Sequence, residues 1–184
     1  MTTTNNLGVQ AQRVQRLNVD PGMRAERIVY TLDGILSPVT PTQLRVTGND
    51  LWSAWTSNPA HLRPDVLLGL DAGGIPPTVA LSLASGVHYV LAWKLDLDLP
   101  HKAVFDEPHA RRVKVFTYAD FRGKTVLIVD DEITTGNTAA NLIAVLRAAG
   151  ATVAGVICPV EDTTGGGRER LAEIGVPLCT LTTP

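Results

Sequence analysis

Charge is scarce in this chain of 184 residues: only 18% of them are Asp, Glu, Lys or Arg. The 16 basic and 18 acidic side chains leave a net charge of −2, so the basic face of a general nucleic-acid binder is missing. Cysteine is nearly absent. Cys158 and Cys179 each sit in an apolar, strand-like run with no CxxC partner, which reads as buried, reduced thiols in a cytoplasmic protein rather than a disulfide framework. Long apolar runs are missing too; residues 126–129 form one of the longest, far short of the roughly 18 residues that span a bilayer. The opening MTTTNNLGVQ has neither the basic nor the apolar segment of a secretory signal. There is no internal repeat, no GxxxxGK[ST] and no GxGxxG, which excludes the Walker loop and the dinucleotide fingerprint. The expected partners therefore include neither nucleic acid nor membrane.

What is present is a core. Hydrophobic residues make up 45% of the chain, ample for one domain at this length. From residue 65 onward strand-like and helix-like segments alternate. Residues 65–70 read as a buried strand, 71–74 as a Gly-rich turn and 75–85 as a helix, with Pro76 and Pro77 confined to its first turn. Strands are expected at 87–93, 113–118, 125–129, 153–160 and 177–181, and helices at 138–149 and late in 165–174. Residues 95–112, polar and interrupted by Pro100 and Pro108, read as a long loop. This alternation predicts an α/β fold: a Rossmann-like, mainly parallel sheet with helices on both faces. The first 60 residues break the rhythm and read as an added arm and hood. Short strands are expected at 27–32 and 43–46, then a helix capped by Asn49 or Asp50 that carries Leu51, Trp52 and Trp55. The two tryptophans are candidates for an interface or hood.

The sharpest constellation is VDDEITTGNT, residues 129–138. A buried strand ends in Asp130 and Asp131, and a loop of hydroxyls and Gly136 then opens a helix. In open parallel sheets ligands sit at this end of the strands. A helix start offers unpaired N–H groups and the positive end of a dipole, a seat for phosphate. Two acids beside a phosphate repel it, unless the ligand is a sugar phosphate whose hydroxyls they bind. The alternative is a plain Asp-capped strand–helix turn.

This stretch resembles the 5-phosphoribosyl-1-pyrophosphate (PRPP) motif of the type I phosphoribosyltransferases. The resemblance implies that family's fold over residues 1–184, with 1–60 as arm and hood and 61–184 as PRPP-binding core with a flexible loop at 95–112. It implies transfer of phosphoribosyl from PRPP to a nucleobase, releasing pyrophosphate. Mg²⁺ is the implied cofactor, held through substrate and water rather than by direct protein ligands. By position, Asp130 and Asp131 take the ribose hydroxyls, and Thr134, Thr135, Gly136, Asn137 and Thr138 take the 5′-phosphate. Asp71, Ala72, Gly73, Gly74 and Lys94 match the pyrophosphate site, and Glu107 matches a loop acid that aids proton transfer. His101, Lys102, His109, Arg111 and Arg112 are further sources of charge toward the pyrophosphate.

Residues 160–176, VEDTTGGGRERLAEIGV, resemble the tail of the adenine phosphoribosyltransferases, and Ile35 and Leu36 resemble the aliphatic pair of their hood that sandwiches the base. Adenine is therefore the expected acceptor, AMP the product and a homodimer the expected assembly. The chain departs from that pattern where Gly73 and Trp93 replace arginines, and Glu132 stands where the family often has an apolar residue. These departures keep open another base or a specialised heterocycle, and a PRPP-sensing regulator without activity.

Overall fold

A computed structural model describes residues 8–19, 25–108 and 114–184. Its centre is a parallel sheet built from β3 (Val66–Leu70), β4 (Tyr89–Ala92), β7 (Thr125–Val129), β9 (Thr152–Glu161) and β10 (Leu178–Thr182), in the order β10-β9-β7-β3-β4. The short β8 (Glu132–Ile133) adds to β9 past the end of β7. Before and beside this sheet lie two antiparallel hairpins: β1 (Ala11–Gln15) with β2 (Glu26–Tyr30), and β5 (Ala103–Asp106) with β6 (Lys114–Thr117).

Strand alternation sends neighbouring side chains to opposite faces of the sheet, and helices cover both. Val126 and Ile128 of β7 pack with Leu142, Ile143 and Leu146 of α3 (Asn137–Ala148) and Leu171 of α4 (Gly167–Glu173). Leu127 and Val129 pack with Leu51 and Trp55 of α1 (Pro41–Ser57) and Leu81 of α2 (Ile75–Ser85). Both layers of apolar contact explain why β7 is apolar from Val126 to Val129. The expected doubly covered α/β sheet is the observed one, and α2 has the expected bounds.

Three expectations fail. Residues 43–46 are not a strand but lie inside α1, whose start is set by a capping box. Thr40 accepts from the Gln43 N–H, the Gln43 side chain accepts from the Thr40 N–H, and Pro41 takes the first turn. Asn49 and Asp50 are therefore mid-helix and cap nothing. Trp55 is fully buried against the sheet and Trp52 partly so, so neither belongs to a hood; Trp55 instead lies on Gly155 of β9, where a Cβ would come within 2.6 Å of its ring. Finally, the segment expected to be one long loop, 95–112, carries β5. Its partner β6 bridges the main sheet only through Trp93 and Phe116, so the strand expected at 113–118 is not part of the parallel sheet; its first residue, like His109, Arg111 and Arg112, lies outside the described residues. Among the described residues no helix is long and apolar enough to cross a membrane.

The β1–β2 hairpin sits over the carboxyl end of the sheet. Its inward residues Ile28 and Tyr30 pack with Leu32 on Val160 of β9, which roofs the strand ends where ligands bind in such sheets.

Candidate active site

A cleft of about 940 Å³ opens between the strand ends and the hairpin. Its floor is the end of β7. Asp131 donates its backbone N–H to Asp130 Oδ1 at 2.9 Å, which holds the two carboxylates side by side. Burial, then the adjacent charge of Asp131, pushes the Asp130 carboxyl well above the usual carboxylate range. Next to them, the Thr134–Thr138 loop leads into α3. Gly136 has φ +70°, the left-handed turn that lets the loop reverse into the helix. The Asn137 N–H donates to Thr135 Oγ1 at 3.4 Å. Gly136 has no side chain of its own with which to cap the helix, so this helix start, which lines the cleft, offers an anion seat beyond Asn137.

The loop is braced from behind by the tail. A Cβ on Gly165 would lie 2.4 Å from the Thr134 carbonyl oxygen, and one on Gly167 would lie 2.6 Å from it and 3.1 Å from the Gly136 nitrogen. Arg170 Nε donates to the Thr135 carbonyl at 3.1 Å. The run of glycines in VEDTTGGGRERL thus lets one backbone lie directly on another.

A second turn, Asp71 to Gly74, leaves β3 and starts α2, again without a side-chain cap; the Asp71–Ala72 peptide is cis. Asp71, Ala72 and Gly73 line the cleft, whereas Gly74 is packed behind it against Leu70 and the Val129 carbonyl. Gly73 faces the acids so closely that a Cβ there would fall 2.0 Å from Asp131 Oδ2. Lys94 Nζ reaches Glu107 Oε2 at 2.9 Å, so the expected pyrophosphate lysine and the expected loop acid form an ion pair at the cleft. Asn141 of α3 donates to the Asp106 carbonyl at 2.9 Å and ties β5 to the core. Tyr30, buried under the hairpin, donates to the Gly73 carbonyl at 3.4 Å; burial and the charges of Asp131 and Asp130 push its hydroxyl above its ordinary value.

Asp130, Asp131, Glu107, Lys94, Asp71, Ala72, Gly73 and all five residues from Thr134 to Thr138 therefore share one cleft. Ile35 and Leu36 do not join them. They are 55% and 61% exposed, and Leu36 lines a separate hollow of about 420 Å³ beside Gln10 and Tyr30. His101 faces Asp120, and Lys102 pairs with Asp96 and covers the Phe116 ring; neither lines the cleft. The residues that sequence reasoning missed are on the hairpin: Arg13, Gln15, Arg16, Glu26 and Arg27, together with Asp162 at the end of β9. The one hint was the spacing of arginines in RVQR and MRAER.

Residues 39–178 match the phosphoribosyl transferase domain. The chain belongs to that family. Phosphoribosyl transferase relatives include the xanthine phosphoribosyltransferase of Chloroflexus aurantiacus, 37% identical over 123 residues that cover 64% of this chain and 58% of the relative. The orotate phosphoribosyltransferase of Methanoculleus marisnigri is 35% identical over 139 residues, covering 70% of this chain and 74% of the relative. The fold is that of the adenine phosphoribosyltransferase from Thermoanaerobacter pseudethanolicus, with a TM-score of 0.73 at 18% identity over 94% of this chain and 95% of that one.

Proposed function

We infer that this protein transfers the phosphoribosyl group of PRPP to a nucleobase. One observation carries the reading: the Gly-rich turn at residues 71–73 and the helix start at residues 136–138 flank a pair of carboxylates in a single cleft. That order, anion seat, hydroxyl acceptors, anion seat, complements a ribose with phosphate at one end and pyrophosphate at the other. Thr134 to Thr138 would hold the 5′-phosphate through hydroxyls and helix N–H groups. The turn at residues 71–74 and Lys94 would hold the pyrophosphate. Asp130 and Asp131 would accept hydrogen bonds from the ribose hydroxyls and stabilise positive charge at C1′ as its bond to pyrophosphate breaks and a ring nitrogen of the base bonds to it.

The donor set fits Mg²⁺ held indirectly. Two adjacent carboxylates line the cleft, and among the described residues no group of three His, Cys, Asp or Glu side chains forms a direct cage. Such a site suits an ion that keeps its waters and binds mainly through substrate oxygens. When bound, the ion would neutralise charge on the leaving pyrophosphate.

The base is a finer matter. The adenine expectation rests on the tail at 160–176 together with Ile35 and Leu36; those two do not line the cleft, and the curated relatives named above carry the names of xanthine and orotate, bases with ring carbonyls. The experiment is a panel of adenine, hypoxanthine, guanine, xanthine and orotate with PRPP and Mg²⁺, reading nucleotide and pyrophosphate. Base-dependent pyrophosphate release is expected, with at least about a hundredfold loss in the Asp130→Asn, Asp131→Asn double variant. Wild-type turnover in that variant would overturn the role of the acids. Tight PRPP binding with no turnover on any base would make the protein a PRPP sensor instead.

A further inference from the structure

Under the reading above, three walls of the cleft have occupants: 5′-phosphate, pyrophosphate and ribose. The fourth wall is the hairpin with Asp162, and it is charged. Arg13 projects from β1, and its Nη1 and Nη2 donate to Asp162 Oδ2 and Oδ1 at 3.0 and 2.7 Å. Asp162 is only 3% exposed. Its Oδ1 also accepts from the Thr164 N–H and hydroxyl at 3.1 and 2.7 Å. Its own N–H donates to the Ile133 carbonyl at 2.8 Å, two residues past Asp131. Asp162 is thus anchored beside the acids with its carboxylate committed to Arg13 and Thr164. Arg13 differs, because 34% of its side chain stays exposed and it lines the cleft. A guanidinium only donates. Its Nη1 also lies 3.8 Å from Glu26 Oε2 across the hairpin; after the fork to Asp162, Nε–H is left among its donors, in a plane that Asp162 fixes.

We propose that Arg13, held in place by Asp162, is the specificity-determining residue for the acceptor base, and that it selects a base with two neighbouring acceptors on one edge, as in the O6/N7 edge of a 6-oxopurine. The inference rests on the phosphoribosyltransferase reading. The chemistry is one of donors and acceptors: the O6/N7 edge accepts twice from a guanidinium, whereas adenine turns an exocyclic N–H₂ donor toward it. Asp162 is a positioning residue, since its own oxygens are already used. Among the described residues, the hairpin presents no aromatic or large aliphatic side chain to the cleft, so recognition falls to the edge of the base.

The test is equilibrium binding of IMP, AMP and PRPP to the wild type, Arg13→Gln and Arg13→Lys, which needs no turnover. The wild type is expected to bind IMP about 10- to 100-fold more tightly than AMP. Arg13→Gln should bring the two affinities together and leave that for PRPP unchanged. Arg13→Lys keeps a charge against Asp162, and so the hairpin anchor, but loses the planar fork; its preference for IMP should shrink to less than half. AMP bound as tightly as IMP by the wild type would overturn the inference. So would a preference unchanged in both variants, as when Arg13 merely anchors the hairpin and both affinities fall together. A wild type that binds neither PRPP nor either nucleotide would instead overturn the phosphoribosyltransferase reading itself.

Discussion

Asp130 and Asp131 are held against each other by their own backbone, and that contact opposes stability. Asp130 takes up a proton more readily in the folded chain than a free Asp does, because burial and Asp131 disfavour its charge. The sign follows from linkage. With the folded value raised, the stability attached to this proton is present at low pH and declines as pH rises above the ordinary Asp range. Asp130→Asn mimics the protonated form at every pH. At pH 7 it should therefore stabilise the fold by about 1 kcal/mol, while activity on PRPP is lost. Thermal melts of both forms check this; a lower midpoint in the variant would show that the contact is compensated. These acids were legible in the sequence because the whole feature is local, a buried strand followed at once by acids, hydroxyls and glycine. Ile35 and Leu36 were legible only as a resemblance. Nothing local says which way an exposed dipeptide in a loop faces, and in the fold neither residue lines the cleft.

At the scale of elements, the phosphate loop depends on a segment about thirty residues downstream. Thr134 to Gly136 lie on Gly165 and Gly167, backbone against backbone. Gly167→Ala should cost about 1–3 kcal/mol by overpacking and weaken PRPP binding, since the loop must shift to admit the methyl group. Gly175→Ala is the control. It has φ +67° but nothing within 4 Å of a new Cβ, so a cost of about 1–2 kcal/mol should come with no change in PRPP affinity. Urea titration and PRPP binding separate the two; equal effects on PRPP affinity would mean that the tail does not brace the loop. Elements with strong local signals, such as α2 with its early prolines and α3 with its apolar face, could be read from the chain. β5 could not, because four residues set between charged neighbours become a strand only by pairing with β6. The start of α1 carries a local signal, Thr40 with Pro41 and Gln43, and it places 43–46 in the helix instead of the expected strand.

Across the whole molecule, the hairpin and the sheet are joined by an ion pair. The Arg13 guanidinium, with the Thr164 donors, holds the Asp162 carboxyl down to about 2. Here the sign is the reverse of Asp130. The depressed value contributes stability above the ordinary Asp pKa, and that stability is lost as pH falls from about 4 through about 2. For a carboxylate as enclosed as this one the contribution is on the order of 2 kcal/mol. Asp162→Asn should remove it, so that stability falls less steeply between pH 4 and 2 than in the wild type. Denaturant titrations across that range check the slope, and an unchanged slope would show that the hairpin is held by Ile28 and Tyr30 on Val160 alone.

The sequence by itself determined the sheet, its layered helices and the chemistry at the end of β7, because periodicity and the strand–loop–helix motif act over neighbouring residues. Only the tertiary structure decided what roofs that motif. Arg13 and Asp162 are 149 positions apart, and no local pattern pairs them; they meet because Ile28 and Tyr30 bury the hairpin on the end of β9. Long-range packing thus brings arginines of the hairpin over the acids of the sheet at one cleft.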